Sequence, residues 1–213
     1  MQEKPKPSRG LSAAGSSARS PDRRTNKART EATRNALIAA ARALFVEKGY
    51  AETGTPEIVA AAKVTRGALY HHFADKEDLF RATVAREAQA VAVQIARKTS
   101  EPGGALEAMI VGAEAYFDAM TMPGRTRLLL LDGPAVLGHT EMAAIDRETG
   151  GEELRQGLAF SIEKGGIDPL PLDAMADILS AAFDRAALAI AEGQPPEDYK
   201  AVTRKLLTSL FGN

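Results

Sequence analysis

Apolar residues along this chain recur with the period of a helix. Leu37, Ala40, Ala41, Leu44 and Phe45 fall at i, i+3, i+4, i+7 and i+8, one stripe that predicts a helix from about Arg29. Gly49 follows Lys48 and can take the left-handed conformation that ends it. Thr55-Pro56-Glu57 predicts a second helix, with threonine as cap, proline at the first helical position and an acid at the positive end. Lys63-Val64 marks a turn. Thr65 caps a third helix running to about His72, and Asp75 with Asp78 resembles a capping box for a fourth. Phe80, Val84, Ala88, Val91 and Ile95 mark the fourth helix's apolar face.

Glu101-Pro102-Gly103-Gly104 breaks the pattern. Further helices are predicted at about 105–120, 125–131, 141–148, 152–164, 173–192 and 197–211, separated by Gly- and Pro-rich steps. No segment sustains period-two alternation, so the expected fold is all-α. Residues 1–28 are rich in Ser, Pro, Gly, Arg and Lys and too poor in apolar side chains to offset the entropy of ordering. They are expected to form a disordered basic tail. The division this suggests is a tail at 1–28, a small helical domain at 29–76 and a larger one at 77–213.

Charge sharpens that division. The net charge is -1, yet residues 1–80 carry 14 Lys+Arg against 9 Asp+Glu, and residues 81–213 carry 13 against 19. A basic first third on an acidic remainder suits a chain in which one region meets a polyanion. The chain holds no cysteine, which excludes disulfides, thiolate metal sites and a cysteine nucleophile. No secretory signal is legible, and no apolar run approaches the roughly 20 residues of a membrane helix. A cytoplasmic protein without membrane contact is the expectation.

The third predicted helix concentrates the donors. Thr65, Arg66, Ala68 and His71 face outward, while Leu69 and Phe73 share a face that should pack on Ile58 and the first helix. Arg66 can pair bidentately with guanine, Thr65 or the Ala68 methyl can meet a thymine, and Gly67 permits close approach of backbone to DNA. Tyr70, His72 and Lys76 are placed for phosphates, and backbone amides near Thr55 and Thr65 favour the same groups. The lesser alternative for Tyr70 and His72 is a place in the core and surface of the small domain. His71 and His72 are adjacent on a helix and point apart, so no metal site is expected. The basic tail can lie along DNA or simply keep the chain soluble.

Thr33 to Phe80 resembles the TetR/AcrR family of transcriptional regulators. The match lies in Ala40-Ala41, Leu44-Phe45, Glu47-Lys48-Gly49-Tyr50, Thr53, Ile58, Val64-Thr65-Arg66-Gly67, Leu69-Tyr70, His72-Phe73 and Lys76 to Phe80. Lys63 stands where the family usually has glycine, and Gly54 where Ser or Thr is common. Leu128 to Pro134 is also similar to a block in the ligand domains of some such regulators, although Asp132-Gly133-Pro134 reads more readily as a turn at a helix break. The resemblance implies a three-helix helix-turn-helix DNA-binding domain, and a C-terminal helical domain that binds a ligand and dimerises through its last two helices.

Those last helices carry Ile178, Ala182, Phe183 and Ala186, then Val202, Leu206 and Leu210, as candidate dimer residues. Intramolecular core is the alternative. Tyr116, Phe117, Met120, Phe160 and Phe183 are candidate effector walls, with Met109 and Leu129 beside them, and Glu114, Arg127, His139 and Asp184 candidate polar anchors. Core packing is the other role for the walls. The chain shows no Gly-rich phosphate loop, G-x-S-x-G or H-E-x-x-H, so no cofactor, metal or catalytic residue is expected. The expected function is a dimeric repressor released from a double-stranded DNA operator by a small molecule. A DNA-binding protein without an effector, or an all-α enzyme, is the alternative.

Overall fold

A computed structural model describes residues 21–100 and 103–211, with side chains from residue 26. Among the described residues there are nine α-helices and no strand: α1 (Pro21–Glu52), α2 (Thr55–Ala62), α3 (Arg66–His72), α4 (Lys76–Thr99), α5 (Ala105–Met120), α6 (Gly133–Arg147), α7 (Gly151–Glu163), α8 (Leu172–Ala191) and α9 (Pro196–Phe211). Residues 1–20 of the expected tail lie outside the described residues. The rest of it is already helical, because α1 begins at Pro21 rather than near Arg29.

The predicted stripe of α1 is buried, with Leu37, Ala41 and Phe45 fully enclosed. Gly49 breaks the helix with φ 84° and ψ 170°, and Thr53 closes its end by donating its hydroxyl to the Gly49 carbonyl at 2.7 Å. Tyr50 folds back so that Phe45, Tyr50 and Phe80 cluster with centroids 4.9–5.8 Å apart, Phe80 meeting both other rings edge-on. The cap of α2 is Gly54, not Thr55. In that register the Glu57 carboxylate reaches back to the Gly54 N–H, and Thr55 and Pro56 take the first two helical positions.

One apolar core runs from Leu37, Ile58, Leu69 and Phe73 through Phe80, Val84 and Val91 of α4 to Phe117, Leu128 and Ala187. It therefore crosses the expected boundary at 76/77 without interruption. A second core joins Met109, Leu158, Met175, Leu179 and Leu207. Between α5 and α6 the chain departs from expectation. Arg127–Asp132 forms a π-helical turn that runs directly into α6, with Pro134 in the first turn of that helix. Asp132-Gly133-Pro134 is thus not a break, and the bend falls at Gly138, with φ 80° and ψ 161°. Arg127–Arg147 is, by length and mean composition, long and apolar enough to cross a membrane, although the unbroken apolar runs within it, such as Leu128–Leu131, are short. The bend at Gly138 interrupts it, and Leu128, Leu129 and Ile145 are buried in the first core.

Candidate nucleic-acid interface and effector cleft

The α2–α3 pair is built around one tight turn. Lys63 takes the left-handed conformation (φ 55°, ψ 41°) and Val64 donates to the Val59 carbonyl at 3.2 Å, closing α2 as a Schellman motif. Thr65 then caps α3, accepting from the Ala68 N–H at 3.2 Å. Leu69 and Phe73 are buried against Ile58 and Leu37, which fixes the rotation of α3. That rotation leaves Thr65, Arg66, Gly67, Tyr70 and His71 exposed, with Ala68 and His72 half-buried.

The exposed side chains are partly organised already. The Arg66 guanidinium lies 5.6 Å from the Tyr70 ring. The Thr55 and Arg66 side chains beside the Tyr70 hydroxyl hold its phenol below the ordinary value. Burial, and then the neighbouring His71 and Arg34, lower the pKa of His72, so its ring is neutral at neutral pH. Lys76 departs from its expected role. Its ammonium donates to the carbonyls of Tyr50 (3.0 Å) and Thr53 (3.2 Å) and sits 4.1 Å from the centre of the Tyr50 ring. With two of its three N–H groups on these carbonyls, it pins the start of α4 to the end of α1.

The candidate effector residues divide. Phe117, Met120 and Arg127 line a cleft of about 370 Å³, with the Thr121–Gly124 loop, Thr126 and the Ala187–Ala191 end of α8. Tyr116 and Asp184 lie off it, joined by a hydrogen bond from the tyrosine hydroxyl to the carboxylate. Burial raises the pKa of both. Phe183 packs edge-on against Phe117, centroids 6.1 Å apart. Three candidates face away. Glu114 pairs with Arg204 of α9, His139 is exposed, and Phe160 is 52% exposed beneath Lys164. The bend at Gly138 turns the helix phase, which is why His139 points out. Met109 belongs to the second core, and Leu129 is buried in the first.

Of the dimer candidates, Ile178, Ala182, Val202 and Leu206 are exposed. Phe183, Ala186 and Leu210 are not. Phe183 and Ala186 belong to the first core, and Leu210 packs on the second. Steps of four along a helix drift by roughly 40° each, so the row Ile178–Ala182–Ala186 rotates inward by its third member.

A link that spacing alone did not reveal joins the two halves. Glu87 of α4 is buried and accepts from Arg42 of α1 (2.8 and 3.2 Å) and from Arg125 (3.0 Å). Arg42 also donates to the Pro123 carbonyl at 3.1 Å, and Arg125 to the Ala119 carbonyl at 2.7 Å. A Cβ at Gly124 would stand 2.4 Å from Val46, so this cleft-lining loop rests directly on α1. A buried carboxylate among the polar residues of α4 leaves no mark on the hydrophobic pattern.

A capped recognition helix on a small three-helix unit, with a larger helical body behind it, defines a helix-turn-helix transcription regulator. Residues 37–83 match the N-terminal model of the bacterial regulatory proteins of the tetR family, and residues 106–213 the tetracyclin repressor-like C-terminal domain. The chain belongs to the TetR family and is a sequence-specific, DNA-binding transcriptional regulator. It is 28% identical over 160 residues to the transposon Tn10 TetC protein of Escherichia coli, covering 74% of this chain and 80% of the relative. It is 43% identical over 63 residues, 30% of each chain, to the HTH-type transcriptional repressor BepR of Brucella suis biovar 1. Among solved structures it is similar to a TetR-family transcriptional regulator from Pectobacterium atrosepticum, with 29% identity, a TM-score of 0.68, and 88% of this chain and 98% of that one covered.

Proposed function

We propose that this protein acts in the cytoplasm as a homodimeric repressor whose two α3 helices enter successive major grooves, and that a small molecule in the Phe117–Arg127 cleft releases it. The observation that carries the reading is Arg66: exposed, at the first turn of a capped, core-locked helix, with its guanidinium clear of any carboxylate among the described residues. Thr65, Gly67, Ala68 and His71 flank it as base-edge contacts. Tyr70, His72 and the α2 amides near Thr55 serve phosphates. The effector reading is supported by where the cleft sits. Its Pro123-Gly124 wall touches α1, so a ligand that moves the wall changes the seating of the helix-turn-helix unit.

Fluorescence anisotropy on DNA from around the protein's own coding region tests this. Saturable binding that survives scrambled competitor and weakens steeply with salt is expected. Arg66→Ala should cost about 1–3 kcal/mol and relax preference at one base position. A uniform loss on all sequences would remove Arg66 from base reading. No binding at low salt on any such fragment would overturn the operator reading.

A further inference from the structure

Arg127 is the charged side chain on a cleft wall that is otherwise apolar or hydroxyl-bearing. Phe117, Met120 and Ile190 supply apolar surface. The Thr126 hydroxyl is already spent on the Met120 carbonyl at 2.8 Å. Arg127 is only half satisfied. Its Nε stands 3.2 Å from Asp132 Oδ2, the one carboxylate within ion-pair reach of it among the described residues, in a contact that makes no hydrogen bond, and the side chain stays about half exposed. Of the acids beside the loop, Glu87 is held by Arg42 and Arg125, and Asp118 by Lys200.

These observations rank the ligand chemistries. A cationic ligand would meet Arg127 and find no unpaired carboxylate on the wall. A neutral one would cover the guanidinium and leave its Nη donors without partners, which is costly. An anion on an apolar body gives both Nη groups an acceptor and puts its hydrocarbon on Phe117, Met120 and Ile190. We infer that the effector is an amphipathic organic anion, such as a carboxylate with an apolar tail, whose charged head is read by Arg127. This rests on the cleft being the effector site. A volume of about 370 Å³ suits a molecule of that kind.

The position of Arg127 gives its capture a consequence. A Cβ at Gly49 would stand 2.6 Å from Arg127 Nη2, so the guanidinium lies against the kink that ends the straight part of α1. An anion that draws the guanidinium into the cleft takes this contact from the helix-turn-helix unit.

Octanoate, 1-octanol and octyltrimethylammonium, titrated into the protein in a calorimeter, separate the three chemistries at constant chain length. Octanoate is expected to bind at least about tenfold more tightly than the other two. Arg127→Gln should lower octanoate to the level of octanol, while Arg127→Lys, which keeps the charge, should retain the preference. Equal or tighter binding of octanol or the ammonium, or no octanoate binding at millimolar concentration, overturns the inference. DNA anisotropy on the same preparation without ligand keeps the two readings apart. A protein that binds its DNA but ignores octanoate loses only this ligand class, and one that never binds DNA loses the operator reading.

Discussion

Lys63 is the non-glycine residue with positive φ among those described, and it sits in the turn on which the DNA-reading helix depends. A Cβ in the left-handed region costs roughly 1–2 kcal/mol, and glycine returns part of that gain as unfolded-state entropy. Lys63→Gly should therefore stabilise the fold by about 0.5–1 kcal/mol and raise Tm by roughly 1–4 °C. The same change removes an exposed cation beside α3, so the salt dependence of DNA binding should fall by a slope of about 1. A higher Tm with an unchanged salt slope would show that Lys63 serves no phosphate. At this scale much was legible from sequence, because caps are local chemistry. Thr65 caps α3 and Asp75 caps α4, accepting from the Asp78 N–H at 2.8 Å, each through bonds within one turn. Lys76 was not legible in the same way. Its partners, Tyr50 and Thr53, lie far back along the chain, and a lysine beside a recognition helix looks the same whether it reaches for phosphate or for a helix end.

At the scale of elements, α4 carries the connection between the halves, and Glu87 is its centre. Burial alone would raise the pKa of this carboxyl, but the hydrogen bonds and charges of Arg42 and Arg125 outweigh burial and hold it below the ordinary glutamate range. A depressed folded pKa means that the unfolded chain binds the proton more readily. The stability Glu87 contributes is present above the ordinary glutamate pKa and is lost as pH falls through the depressed one. Glu87→Gln should remove that acid-limb step and leave two arginines without their carboxylate, at a cost of about 3 kcal/mol and a Tm lowered by roughly 10 °C near neutral pH. Urea denaturation across the acid range checks both. A variant with the wild-type pH profile would take the link out of the account. The helical elements were largely predictable, since their stripes are buried as their periods require. The π-helical turn at Arg127–Asp132 was not. Its residues, RLLLLD, are those of an ordinary helix, and the wider turn comes from packing against α1 and α4 rather than from a local signal. That turn and the bend at Gly138 shift the phase of the residues that follow, and His139, next after the bend, is exposed rather than an anchor in the cleft.

At the scale of the whole molecule, the exposed side chains Ile178 (69% exposed), Val202 (59%) and Leu206 (54%) stand out on the outer faces of α8 and α9. Each is worth roughly 1.5–3 kcal/mol when fully buried, so a surface that keeps several of them in water leaves free energy for association. The two helices touch each other, and in the proposed dimer a second copy would lie on them as a four-helix arrangement, with exposed small residues such as Ala181 and Ala182 allowing close approach. A charge placed there opposes association without opening the core, because these positions are already solvated in one chain. Ile178→Glu with Leu206→Glu should therefore give a monomer with a nearly unchanged far-UV CD spectrum. It should also bind DNA far more weakly, since one recognition helix then reads one half-site without its partner. Sedimentation velocity of wild type and variant decides the matter. A wild-type dimer that becomes a monomer places the interface on α8 and α9. A variant that still sediments as a dimer moves it elsewhere, to a surface that would have to explain why these apolar rows stay exposed.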